Sequence, residues 1–436
     1  MRGKKVAVHT LGCKVNQYES AALEGMFRER GYQVVDFSDA ADVYLINTCT
    51  VTHLGDRKSR QLIRRAARTN PGALVVVTGC YAQTSPGEVA ALPEVDLVVG
   101  LGDRGHLVDL VESAVKGPGS EVLVRDISGA REFEELPPPV EQGRVRAFLK
   151  IQEGCDSYCA YCIVPHARGP LRSRPPAGVL AEARFLLGRG YREIVLTGIH
   201  TGAYGRDLPG DPGLAGLVEQ LLTLPGLLRL RLSSVEPNDI TPELIYILSG
   251  SKVACPHLHI PLQSGDDTVL RRMGRNYTAG EFARLAQVIR ASIPGIAITG
   301  DVIVGFPGET REQFANTRRL VNKVAFAGLH VFKYSPRRGT PAAGWPDQVD
   351  PAEKEERSRE LINIGRELAR SYVSRHVGRQ LEVLVEQPAR ERKGWLEGHT
   401  GNYLRVIFPG DISLRNTLVN VLAGRQVDER LEGRII

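Results

Sequence analysis

The sequence predicts an α/β protein in three parts: an N-terminal open parallel α/β sheet, a central partial (β/α) barrel and a small C-terminal antiparallel β-barrel. Three observations predict it. Short apolar runs alternate with amphipathic stretches over residues 1–130, βα units recur over 144–375, and 376–436 changes to short strands with glycine turns. A chain of 436 residues is also too long for one ordinary core, since a domain takes roughly 150.

In the first part the strands are VAVHTLG, YQVVDF, DVYLIN, ALVVVTG and VDLVVG, with helices over 17–30, 56–68 and 106–115. This domain ends near residue 130. The stretch REFEELPPPVEQG carries three consecutive prolines among clustered acids, so 131–143 reads as an extended linker. From 144 the pattern resumes with AFLKIQEG, a helix over 177–187, EIVLTG, a helix over 213–222, LLRLRLSS, IAITGDVIVGF and GLHVFKYS. A parallel barrel builds its reactive face from the loops after its strands. A strongly charged helix over 352–376 leads to LEVLVEQ, GWLEGHT, YLRVIF and TLVNVLAG, the strands of the last barrel.

A hydrophobic fraction of 42% with 24% charged residues supports a packed core and excludes wholesale disorder. No apolar run approaches the roughly 20 residues of a membrane span, and the first residues enter a strand pattern without a signal-peptide core. The expectation is a cytoplasmic protein with no membrane partner. The net charge of +6 tolerates a polyanion without requiring one, and 379–436 is nearly balanced, with nine basic against eight acidic residues. Seven cysteines without a secretory signal argue for metal or redox chemistry rather than a disulfide scaffold.

Cys155, Cys159 and Cys162 form a C-x3-C-x2-C run in the loop after the first strand of the central domain. A 4Fe cluster normally takes four cysteines, so three thiolates leave one iron open to another ligand. Zinc usually shows two spaced pairs of ligands, which this run lacks. Cys13, Cys49 and Cys80 are separated by 36 and 31 residues, yet each follows a strand. The carboxyl ends of parallel strands share one edge, so these three can converge on a second cluster with an open iron. Cys255 belongs to neither set and reads as a packed thiol.

The cysteine run, with Tyr161 before its third member, closely resembles the signature of the radical S-adenosylmethionine superfamily. The resemblance implies that the open iron chelates the methionine moiety, that an electron cleaves the sulfonium to a 5'-deoxyadenosyl radical, and that Tyr161 contacts the adenine. Both triads together resemble the methylthiotransferases over essentially the whole chain, which implies a TRAM-type RNA-binding barrel at the C-terminus. It further implies two 4Fe-4S clusters, the second carrying the sulfur to be inserted, and a need for a sulfur source and a reducing electron donor. Loops LTGIHTG, SSVEP, HIPLQSGDD and GDVIVGFPGET resemble cofactor-contacting segments, with Gly198, Ser234, Glu236, Gln263 and Val304 as the contacts.

Two basic groups, Arg168, Arg172 and Arg174 and then Arg271, Arg272 and Arg275, are candidates for RNA phosphate contacts, the second favoured by resemblance. A purine carbon is reached most cheaply in a single-stranded loop, which the tRNA anticodon loop supplies. The segments GCKVNQYES, NTCTVT and HIPLQSGDD resemble the branch acting on N6-threonylcarbamoyladenosine more than the one acting on isopentenyladenosine. A third branch modifies an aspartate of a ribosomal protein. The reading from a different class is a non-catalytic iron-sulfur carrier or RNA-binding protein.

Overall fold

The structure is a computed structural model that describes residues 3–117, 119–139, 141 and 143–436. In the first part β1 (Lys5–Thr10) is followed by α1 (Lys14–Glu29), β2 (Gln33–Val35), β3 (Val43–Thr48), α2 (His53–Thr69), β4 (Leu74–Gly79), β5 (Leu97–Val99) and β6 (Glu121–Leu123). All six strands are parallel in the order β2-β1-β3-β4-β5-β6. β3 and β4 are buried along their whole length, as apolar runs covered by helices on both faces must be. The sequence reading had five of these strands and missed β6, a three-residue edge strand with two exposed positions. It also began α1 and α2 three residues late, so Cys13 is the residue that caps α1 rather than part of a loop before it.

The central part holds β7 (Arg146–Lys150), β8 (Gln152–Glu153), β9 (Arg172–Ser173), β10 (Glu193–Thr197), β11 (Arg229–Leu232), β12 (His257–His259), β13 (Ala297–Val304) and β14 (Gly328–Lys333). Two parallel sheets, β7-β10-β11 and β12-β13-β14, meet through the bridges Leu230–Ala254 and Ser234–His259. The result is six parallel strands, an open barrel. β8 and β9 pair antiparallel and hold the two ends of the cysteine loop together.

The last part is a closed barrel of β15 (Gln380–Pro388), β16 (Trp395–Thr400), β17 (Arg405–Pro409), β18 (Leu418–Val427) and β19 (Arg430–Ile435), in the order β15-β16-β17-β19-β18. It departs from a wholly antiparallel barrel at β17 and β19, which run parallel and close the ring. Arg229 ties it to the central part by donating to the carbonyls of His399 and Glu382, each at 2.8 Å, and Arg231 donates to Gly401 at 2.9 Å. Tyr403 stacks on His257 with ring centroids 4.8 Å apart, under the Arg231 guanidinium.

Segment 131–143 has no regular element among its described residues, and Val140 and Gln142 lie outside them. It is nonetheless pinned: Glu134 pairs with Arg104 at 2.5 Å, Glu135 pairs with Arg174 at 2.6 Å, and Leu136 is buried. Among the described residues no helix is long and apolar enough to cross a membrane.

Candidate iron-sulfur and cofactor site

β1, β3 and β4 are neighbours in the sheet, so Cys13, Cys49 and Cys80 leave its carboxyl edge side by side. Cys13 caps α1 and Cys80 opens the short helix Cys80–Thr84. Helix N-termini favour a thiolate there. The packing is tight: a β-carbon added at Gly12 would lie 2.8 Å from Cys49 Cβ. Gly79 takes φ +94°, and a β-carbon there would stand 2.4 Å from the Thr48 carbonyl, so only glycine lets β4 turn into Cys80.

Burial pushes the Cys49 thiol up to about 12, and the neighbouring Cys80 and Cys13 add to the rise. Burial also raises Cys80, against the pull of Arg168. Three free thiols this close cannot ionise together without a cation between them, and iron binds thiolates. The donor set therefore fits a cluster with three protein ligands.

The second set sits in the loop between β8 and β9. Gly154, at φ +70°, faces the Pro170 carbonyl so closely that a β-carbon would overlap it, and this turn presents Cys155. Burial opposes ionisation of Cys155, but a contact of 3.6 Å to His200 Nδ1 outweighs it and lowers the pKa. His200 is in turn oriented by Asp239 at 2.7 Å. Burial raises Cys162 to about 12, and Cys159 is raised as well. This donor set too fits a cluster with three protein ligands.

Tyr161 is half-buried beside Cys162, and its hydroxyl accepts from Arg275 Nη2 at 2.6 Å. Arg275 Nη1 pairs with Glu236 at 2.5 Å. The structure therefore corrects the reading of Arg275 as a phosphate contact: its charge is spent inside the site. Arg168, Arg172 and Arg174 are corrected likewise, being 1%, 4% and 5% exposed. Glu182 and Glu135 pair with Arg174 and Glu19 with Arg168, while Arg172 donates to the Arg168 carbonyl at 2.9 Å. Arg271 stays exposed, and Arg272 lies over the Trp345 ring.

Gly198 adjoins Gln152, whose Oε1 accepts from His200 N–H at 2.7 Å. The Ser234 carbonyl accepts from Thr201 Oγ1, and Ser234 is half-buried. Gln263 takes a left-handed backbone at φ +61° and lines a cavity of about 200 Å³ with Tyr161, Cys162 and Asp301. Val304 is fully buried in the core, and its carbonyl accepts from Tyr334 N–H at 2.9 Å. Cys255 is buried against Arg231 and Glu193, and burial lifts its thiol to about 12.

All three N-terminal cysteine loops rest on the central part, two at the carboxyl ends of barrel strands and the third on the cysteine loop between β8 and β9. Lys14, next to Cys13, reaches Ser233 Oγ at 3.4 Å just after β11. Beyond Cys49, Val51 and Thr52 line the cavity shared with Cys162, and Arg337 donates to Thr50 at 2.5 Å and pairs with Asp56 at 2.7 Å. Arg168, six residues after Cys162, donates to Cys80 Sγ at 3.4 Å and to Asn16 at 2.5 Å. Sequence reasoning missed Lys14, Arg337 and His200 as site residues. Lys14 and His200 lay within quoted motifs, whereas nothing local marks Arg337.

A three-thiol loop at the mouth of an open parallel barrel, faced by a second three-thiol edge, defines an iron-sulfur enzyme of the radical type. The model described as "Uncharacterized protein family UPF0004" matches residues 5–100, and the Radical SAM superfamily model matches 149–321. The chain is 48% identical over 95% of its length, and 93% of the relative's, to the threonylcarbamoyladenosine tRNA methylthiotransferase MtaB of Bacillus subtilis. It is 36% identical to the tRNA-2-methylthio-N(6)-dimethylallyladenosine synthase of Moorella thermoacetica, over 99% of this chain and 98% of that one. In fold it is similar to the radical S-adenosylmethionine methyltransferase TsrM of Kitasatospora setae, at TM-score 0.59 and 16% identity, covering 78% of this chain and 77% of that one. The chain belongs to the radical S-adenosylmethionine tRNA methylthiotransferase family. It is an enzyme that uses S-adenosylmethionine and iron-sulfur chemistry.

Proposed function

We propose that this enzyme adds a methylthio group to carbon 2 of N6-threonylcarbamoyladenosine in the tRNA anticodon loop, using two 4Fe-4S clusters. Cys155, Cys159 and Cys162 would hold one, and Cys13, Cys49 and Cys80 the other. The carrying observation is the seating of all three N-terminal cysteine loops on the barrel mouth that Tyr161 and Cys162 line. When bound, the clusters supply the electron that cleaves S-adenosylmethionine and the site at which sulfur is carried.

The chain's own groups do the positioning. Tyr161, fixed by Arg275, offers a face to the adenine of the cofactor, and Gly198 leaves its backbone open to the methionine end. Ser234, Glu236, Gln263 and Val304 complete the cofactor contacts in this reading. Arg168 spans the two triads and fixes their mutual orientation through buried, water-excluded hydrogen bonds. The division is 1–130 for the sulfur-cluster domain, 131–143 for the connection, 144–375 for the radical barrel and 376–436 for a TRAM-like RNA-binding barrel. A reducing electron donor and a sulfur source complete the partners, and the work is done in the cytoplasm. The curated relatives named for threonylcarbamoyladenosine, at 36% to 48% identity, favour this substrate.

Nucleoside mass spectrometry of tRNA from a strain lacking the protein tests the substrate. Loss of the methylthio form of threonylcarbamoyladenosine, with recovery on restoring the gene, is expected. Loss of a methylthio-dimethylallyl nucleoside instead would move the enzyme to the other tRNA branch. An unchanged profile would redirect the search to a protein substrate.

A further inference from the structure

Among the described residues, no carboxylate lies within ion-pair distance of the Lys14 ammonium, although Lys14 is partly enclosed between two domains. Its polar neighbour is the Ser233 hydroxyl at 3.4 Å. Lys14 lines a cavity of about 530 Å³ with His257, His259, His330 and Tyr403, between the N-terminal part, the barrel strands and the C-terminal barrel, and Glu429 stands on the same lining without pairing with it. On the barrel side the Asp301 carboxylate is occupied by His259 Nε2 and His330 Nδ1, both at 3.0 Å. A partly buried cation without a paired counter-charge carries a desolvation cost that an incoming anion would offset.

The two kinds of relative differ in one chemical respect at this point. A threonylcarbamoyl substituent ends in a free carboxylate, whereas a dimethylallyl substituent is a neutral hydrocarbon. Both sit on N6, the exocyclic nitrogen on carbon 6, of an adenine whose carbon 2 takes the methylthio group, and carbons 2 and 6 flank the single ring nitrogen N1. Whatever holds the substituent must therefore stand beside the reacting carbon. Lys14 stands next to Cys13, on the loop that faces the barrel mouth.

We propose that Lys14 is the specificity residue of this enzyme, binding the carboxylate of the N6-threonylcarbamoyl group and so selecting that nucleoside over uncharged N6 substituents. The inference rests on the substrate reading above and adds the group that enforces it. The carboxylate enters the cavity from the mouth, takes a charge-assisted hydrogen bond from Lys14 Nζ, and finds the imidazoles of His259 and His330 on its far side.

The test uses full-length, cluster-loaded enzyme and anticodon stem-loops carrying threonylcarbamoyladenosine, its methyl ester or dimethylallyladenosine. Binding is read by fluorescence anisotropy and product by mass spectrometry. Wild type should bind the free acid roughly tenfold to a hundredfold more tightly than the ester, the worth of a hydrogen bond to a charged group. Lys14→Met should bring acid and ester close to equal, and Lys14→Arg should restore most of the preference. The acid-to-ester comparison on wild type needs no variant to fold. Equal binding of acid and ester by wild type, or a full preference surviving in Lys14→Met, overturns the inference while leaving the substrate reading in place. Product formed from the dimethylallyl RNA alone overturns the substrate reading and the inference with it.

Discussion

Replacing Cys49 by alanine is expected to reduce methylthio product to background while reductive cleavage of S-adenosylmethionine continues at close to the wild-type rate. Cys49 follows β3 and lies against Cys13 and Cys80, so its loss leaves two thiols where three are needed. The radical triad is built on a different loop, between β8 and β9, and keeps its own ligands. Cys159→Ala should instead abolish both 5'-deoxyadenosine formation and product. Chromatography of 5'-deoxyadenosine alongside mass spectrometry of the nucleoside separates the two cases. Loss of cofactor cleavage in Cys49→Ala would mean that the two sites are not independent.

The second large effect lies between the domains. Glu19 of α1 is fully buried and pairs with Arg104, with Lys150 at 2.8 Å and with Arg168 at 2.8 Å. Lys150 and Arg168 belong to the barrel, so one carboxylate joins two domains. Burial works against the charge of Glu19, but Arg104, Arg168 and Lys150 outweigh it and lower its pKa. Glu153 is lowered in the same way, by Arg168, Lys150 and Arg104. Glu19→Gln removes one of the two buried carboxylates, Glu19 and Glu153, that face Arg104, Lys150 and Arg168, and should cost about 3–5 kcal/mol in guanidinium unfolding. It should also lower activity, because Arg168 is the group that reaches Cys80 and Asn16.

The same cluster fixes a pH dependence. Both folded-state pKa values are depressed, so the stabilisation is complete above the ordinary glutamate value of 4.5 and is lost as pH falls from there through the depressed values. Unfolding midpoints of wild type measured from neutral pH downward should fall in that window, and those of Glu19→Gln should fall less steeply.

What the sequence made legible follows from where each partner lies. The cysteine triads could be read because thiols are scarce and because strand ends of a parallel sheet converge: Cys13, Cys49 and Cys80 needed no knowledge of any other domain. The buried arginines could not be read that way. Arg168, Arg172 and Arg174 look like a basic run, but Glu19 stands 149 residues from Arg168 in the chain. Arg337 meets Thr50 across 287 residues. Charge pattern is local, whereas ion pairing here is a product of domain docking. The three-residue strand β6 escaped for a different reason, since its apolar run, Val122 to Val124, is too short to show the alternation of a strand. The parallel closure between β17 and β19 depends on chain return rather than on strand composition.

Mössbauer spectroscopy with iron analysis of the anaerobically reconstituted full-length chain tests most directly whether the two separate three-thiol sites each hold a cluster. Wild type should carry about eight irons in two 4Fe-4S populations, and replacing Cys13, Cys49 and Cys80 together should leave about four. A wild-type chain that takes up about four irons, unchanged when the N-terminal triad is removed, would contradict the account.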